Sequence, residues 1–155
     1  REINVKLIDC LSEKTVQVGA AFTDRQAVLA RLVDLVLAPA AFMDRQTLLD
    51  EIIAREKLGS TGIGEGVAVP HVHLTGVDSL HVAMMTVPGG VDYDAIDDLP
   101  CKSFIMVVAP DEDREGYLKL LSAVSRIFHK AQMREAVLAA KSTADLLKVI
   151  KDAEA

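Results

Sequence analysis

Two segments, HVAMMTV (His81–Val87) and SFIMVVA (Ser103–Ala109), are near-continuous runs of Val, Ile, Phe, Met and Ala. A half-buried strand alternates apolar and polar side chains; these runs do not alternate, so they read as strands buried on both faces. A sheet containing them needs cover on both sides. Helical patterns supply it. Asp24 and Asp44 stand at N-cap positions, each followed by apolar residues at helical spacing: Val28, Leu29, Leu32, Val33 and Val36, then Leu48, Leu49, Ile52 and Ile53. The starts echo one another, AFTDRQ at 21–26 and AFMDRQ at 41–46, with Phe22 and Phe42 placed to pack on the first turns. Two copies are too few for a solenoid.

The second helix is predicted to end near Leu58, with Gly59 just beyond it. Asp113–Lys130 carries Tyr117, Leu121, Val124 and Phe128 on one stripe. Met133–Ala140 reads as a short helix, and Ser142-x-x-Asp145 opens a last one through Asp152. Ile3–Leu11 mixes apolar and polar residues, Thr15–Ala20 has a short strand-like alternation, and Val67–Val72 is rich in β-formers. Pro88–Pro100 is expected to be a turn-rich connection. The order gives an α/β protein with helices on a mixed sheet. With 155 residues and no dividing linker, residues 1–155 are expected to form a single domain.

The formal net charge is −6, with no basic run, which argues against nucleic-acid binding and suits a basic protein partner. No apolar run approaches the roughly 18–20 residues of a membrane helix, and the start lacks a secretory signal. Cys10 and Cys101 lack C-x-x-C spacing and are expected to be free thiols in a cytoplasmic protein. The opening Arg1 suggests a chain trimmed or cut from a longer one.

The chemistry-bearing stretch is GSTGIGEGVAVPH, Gly59 to His71. A phosphate-binding nucleotide loop needs a Lys after its last glycine, and none is present. A dinucleotide fingerprint needs a strand before and a helix after, whereas here the helix comes first. Alternating Gly62, Gly64 and Gly66 can instead turn backbone N–H groups toward one point, an anion-binding nest to which Ser60 and Thr61 add hydroxyl donors. Pro70 stiffens the chain in front of His71, and Arg55 near the helix end can grip a phosphoryl or carboxylate group with two N–H donors. A neutral imidazole, with an ordinary pKa of about 6.5, is a competent nucleophile. Such a set would hold a phosphoryl group without metal or cofactor. A glycine turn beside a packed histidine remains the competing reading.

REKLGSTGIGEGVAVPH, Arg55 to His71, resembles the signature of the enzyme IIA component of the bacterial phosphoenolpyruvate-dependent sugar phosphotransferase system, fructose/mannitol class, which includes nitrogen-regulatory IIA proteins. VDYDAIDDLP (91–100), MVVAP (106–110) and LLSAVSRIF (120–128) extend the resemblance over nearly the whole chain. It implies a three-layer α/β/α sandwich with a central mixed sheet. It also implies that His71 accepts a phosphoryl group from an HPr-like phosphocarrier and passes it to a IIB domain, with Arg55 steadying the phosphate. Two alternatives stand beside this: a regulatory protein whose unphosphorylated surface controls a kinase, channel or transporter, and a IIA domain excised from a larger transporter. The family usually places a second histidine where this chain has Tyr117. His73, two residues along an extended segment, falls on the same face as His71 and can stand in for it. H-x-H spacing alone is a poor zinc site, and an exposed His73 without a role is the plain alternative. His81 and His129 are read as structural, and Asp92, Asp94, Asp97 and Asp98 as solvated loop charges.

Overall fold

The computed structural model describes residues 5–155, so the opening of the Ile3–Leu11 segment lies partly outside it. Leu7–Cys10 forms a single 3₁₀ turn and Val16–Gln17 a two-residue strand, β1. Helices α1 (Arg25–Leu37) and α2 (Arg45–Leu58) follow. Their N-caps are those read from the sequence: the Asp24 carboxylate accepts from the Ala27 amide at 2.8 Å, and that of Asp44 from the Thr47 amide at 3.0 Å. Each satisfies a donor that the first helical turn would otherwise leave unpaired.

Next come β2 (Gly62–Gly64), β3 (Val67–Ala68), β4 (His71–Leu74), β5 (His81–Val91) and β6 (Cys101–Pro110). The chain closes with α3 (Arg114–Phe128), α4 (Ala131–Ala139) and α5 (Thr143–Ala153). The strands make one mixed sheet in the order β1-β5-β6-β3-β2, with β4 also on β6. β5 and β6 pair antiparallel; β1 runs parallel to β5, and β3 and β4 run parallel to β6. Thus β3 and β4 are two pieces of one path along β6, interrupted at Val69–Pro70.

The two apolar runs behave as their composition requires. Ala83, Met85, Val87, Phe104, Met106 and Val108 face α1 and α2, while Val82, Met84, Ile105, Val107 and Ala109 face α3, α4 and α5. Successive side chains alternate between two apolar layers, so no polar residue is needed on either face. The result is a helix–sheet–helix sandwich. Phe22 and Phe42 pack against the α1/α2 core, and Phe42 stacks on His81 with ring centroids 3.8 Å apart. Cys10 is half-buried, Cys101 is buried, and both are free thiols.

Two expectations need correction. Pro88–Gly90 is not part of a loop: β5 continues through it to Val91, with a shift of register against β6 between Thr86 and Val91. The glycine-rich stretch is not a loop either, but an edge hairpin. Gly64 pairs with Val67, and the two residues between them, Glu65 and Gly66, have φ of 58° and 77°. Two consecutive positive φ values make the tight turn whose twist matches a β-hairpin, with Gly at its second central position.

Candidate functional site

His71 opens β4 immediately after the interruption of the β3–β4 path. Pro70 has no N–H to give the ladder, although its carbonyl accepts from the Val107 amide at 2.9 Å. The Val69 carbonyl lies 2.8 Å from Nδ1 of the His71 ring. A carbonyl only accepts, so Nδ1 must carry the proton, and Nε2 keeps its lone pair. Burial is the main influence holding the His71 pKa below its ordinary 6.5; the positive charges of Arg55 and His73 push the same way, against the Val69 carbonyl and Glu56. A ring fixed in this tautomer and resistant to protonation is a nucleophile through Nε2 near neutrality.

The structure brings together four of the residues singled out in the sequence. Tyr117, near the start of α3, lies 5.5 Å from His71 between ring centroids. His73 lies 6.4 Å from His71 and meets Tyr117 edge-on at 4.3 Å. Arg55 is half-buried in the last turn of α2, where its Nη1 donates to the Gly59 carbonyl at 2.8 Å. Its charge acts on both His71 and Tyr117; burial raises the Tyr117 pKa and Arg55 partly offsets that rise. His73 therefore stands beside the His71 and Tyr117 rings rather than alone in solvent.

The remaining motif residues have partners within the chain. The Ser60 hydroxyl donates to the Tyr93 carbonyl at 2.7 Å and accepts from the Gly62 amide at 3.1 Å. The Thr61 hydroxyl donates to the Glu56 carboxylate, at 2.7 and 2.8 Å from its two oxygens. Gly66 turns its carbonyl to the amides of Lys102 and Ser103, at 2.8 and 3.0 Å. The anion that the hairpin turn does capture is the protein's own: the Glu65 amide donates to Asp97 at 2.9 Å, lowering that carboxyl's pKa. Gly62 is required by contact, since a Cβ there would lie 2.7 Å from the Ala95 Cβ.

The sequence reading passed over Glu56. Leu48, Ile52 and Glu56 are the buried residues of α2, spaced four apart on one face, so the apolar stripe ends on a carboxylate. A charged residue at a position the stripe reserves for an apolar one was the available signal. Among the described residues, no group of three or more His, Cys, Asp or Glu side chains comes together to hold a metal ion, and no helix is long and apolar enough to cross a membrane.

Comparison with known proteins agrees with this fold. The chain is 32% identical over 130 residues to a nitrogen regulatory protein of Pseudomonas aeruginosa, covering 84% of each chain. It is 34% identical over 118 residues to a PTS system fructose-specific EIIA component of Haloferax volcanii, covering 76% of this chain and 77% of that one. In fold it matches nitrogen regulatory protein IIA-Ntr of Neisseria meningitidis with a TM-score of 0.86 at 23% identity, over 93% and 98% of the two chains. It also matches the complex of enzyme IIAMTL with phosphorylated enzyme IIBMTL of Escherichia coli, with a TM-score of 0.77 at 16% identity, over 92% and 97%. The family described as phosphoenolpyruvate-dependent sugar phosphotransferase system, EIIA 2, matches residues 9–153, and the chain belongs to that family.

Proposed function

We propose that His71 is the phosphoryl acceptor of this chain, taking the group through Nε2 from an HPr-like phosphocarrier and passing it to a IIB domain or a regulatory target. The observation that carries this reading is the bond from Nδ1 to the Val69 carbonyl, which leaves Nε2 as the unprotonated ring nitrogen. In the transfer, the donor's P–N bond breaks and its electron pair returns to the donor ring while the Nε2–P bond forms. The transition state is loose, so positioning and charge stabilisation do most of the work. Arg55 exchanges the Gly59 carbonyl for phosphoryl oxygens, and His73, packed on Tyr117, supplies the second imidazole that the family places at position 117.

Carriage between proteins needs a docking surface. Leu58 and Ile96 are 85% and 83% exposed, and Leu118 is 61% exposed next to Tyr117. Exposed large apolar side chains mark a protein contact more than a small-molecule pocket. The IIA–IIB pairing named for the Escherichia coli mannitol proteins supports a IIB acceptor. The nitrogen regulatory relative, matched over 84% of both chains, supports the regulatory role equally, with added phosphoryl charge as the switch.

The test is incubation with labelled phosphoenolpyruvate, enzyme I and HPr, followed by mapping of the acid-labile phosphate. Label on His71 supports the assignment, and competent donors with no label on His71 overturn it. Transfer at an unchanged rate in His73→Ala removes His73 from the mechanism.

A further inference from the structure

Glu56 is 5% exposed, and among the described residues it has no salt bridge. Burying a carboxylate is costly unless donors satisfy it, and an apolar residue would complete the Leu48–Ile52 stripe without that cost. The donors come from Thr61, and the Tyr93 hydroxyl also bonds the Glu56 carboxylate. The Thr61 amide lies 3.1 and 3.2 Å from the two carboxylate oxygens, and the Thr61 hydroxyl 2.7 and 2.8 Å from them. The fully buried Tyr93 closes the cluster, its hydroxyl 3.3 Å from Thr61 Oγ1. From Thr61 the chain of bonds continues: its carbonyl accepts from the Val69 amide at 3.0 Å, and the Val69 carbonyl accepts from His71 Nδ1 at 2.8 Å.

We propose that Glu56 is a positioning residue for the phosphoryl acceptor: acting through Thr61 and the Val69 peptide, its carboxylate fixes the Nδ1–H tautomer of His71 and offsets the positive charge the ring acquires when Nε2 is phosphorylated. This rests on the reading of His71 as the acceptor. When Nε2 forms its bond to phosphorus, Nδ1 keeps its proton, so a neutral imidazole becomes a phosphoimidazolium. The groups acting on that ring are Arg55 and Glu56 from α2, His73 from β4 and Tyr117 from α3. Arg55 and His73 oppose positive charge on the ring, and Glu56 is the anion that favours it. The arrangement does for phosphoryl transfer what a buried carboxylate behind a histidine does elsewhere, with the backbone of Thr61 and Val69 interposed.

The experiment is a nitrogen-15 NMR titration of the His71 ring in the wild-type protein, Glu56→Gln and Glu56→Asp, with no phosphoryl donor present. In the wild type, Nδ1 is the protonated nitrogen. In Glu56→Gln the His71 midpoint falls and the two tautomers mix, whereas Glu56→Asp, which keeps the charge, retains the wild-type tautomer. The rate of phosphoryl acceptance in Glu56→Gln falls by about tenfold, the equivalent of one pK unit of lost stabilisation. A folded Glu56→Gln protein with wild-type midpoint and tautomer overturns the proposal. If that variant does not fold, the wild type decides: the Glu56 carboxyl carbon resonance must move as His71 titrates, and a stationary resonance overturns the proposal. None of these ring measurements requires transfer to occur, so their failure is distinct from a failure to label His71.

Discussion

Gly62→Ala tests whether the glycines of the motif serve packing or phosphate. The added Cβ would lie 2.7 Å from the Ala95 Cβ and 2.9 Å from its Cα. Carbon atoms in good contact sit about 3.5–4.0 Å apart, so the overlap is on the order of 1 Å. Alanine has no side-chain torsion to turn aside, and the second clashing atom belongs to the backbone. Relief therefore requires β2 or the loop after β5 to move, against the bond from the Ile96 amide to the Gly62 carbonyl at 3.3 Å. Overpacking of this kind costs about 1–3 kcal/mol. For a domain of this size that lowers the melting temperature by about 3–10 °C, measurable by calorimetry or circular dichroism. Ala95→Gly removes the nearer of the two clashing atoms, so the double variant recovers part of the loss, and a double-mutant cycle measures the coupling. Phosphoryl acceptance by His71 should recover with stability. A single variant as stable as wild type refutes the packing argument; a double variant that regains stability but not transfer refutes the assignment of Gly62 to packing rather than to the phosphoryl group.

Arg55→Lys keeps the charge and loses the planar two-pronged donor; acceptance should slow by about tenfold or more at an almost unchanged melting temperature, and wild-type transfer rates would remove Arg55 from the site. Because His71 titrates below 6.5, the acceptance rate should be flat at neutral pH, reach half its maximum below pH 6.5, and fall about tenfold per unit under that midpoint; half-maximal activity above 6.5 contradicts the burial argument. Burial lowers His81 as well, so the unfolded chain binds protons that the folded one refuses: this contribution to stability is fully present above pH 6.5 and is lost as pH falls through the folded midpoints, visible as a declining urea midpoint that is shallower in His81→Asn. Tyr117→His places an imidazole beside the His71 ring and should accelerate transfer and shorten the lifetime of phosphorylated His71; equal hydrolysis rates before and after the change would show that Tyr117 does not govern that lifetime.

The elements legible in the sequence are those whose side chains report their surroundings. His81–Val87 and Ser103–Ala109 were readable because burial on two faces leaves few polar positions, Thr86 and Ser103 among them, and α1 and α2 because Asp24 and Asp44 announce their first turns. The β2–β3 hairpin was not readable: glycine has no side chain to carry a period of two, so GIGEG presents the composition of a loop while pairing as a strand. The extension of β5 through Pro88–Gly90 was hidden for the same reason. His71, His73 and Arg55 stand out in the sequence by the chemistry of their side chains, and Tyr117 by the register of the family resemblance; the structure sets the three rings side by side. For Ser60 and Thr61, sequence shows that a hydroxyl exists, not the partners it has within the chain, the Tyr93 carbonyl and the Glu56 carboxylate.

That difference changes what GSTGIGEGVAVPH is for. Its glycines build an edge hairpin that packs on Ala95 and turns one amide to Asp97, while Thr61 anchors the hairpin to the end of α2 through Glu56. The strand returning from the hairpin must then reach β6, and Pro70 interrupts it one residue before His71. At the interruption the Val69 carbonyl meets the histidine ring while the Val69 amide stays bonded to Thr61. The motif therefore aims a backbone acceptor at Nδ1. On the proposal that His71 is the phosphoryl acceptor, Arg55 of α2 and His73 of β4 are the side chains that would steady the phosphoryl oxygens, exchanging partners as the group arrives and leaves. A carrier has to release what it binds. Rigid backbone support behind the ring, with movable side chains in front of it, meets that requirement better than a fixed nest of amides would.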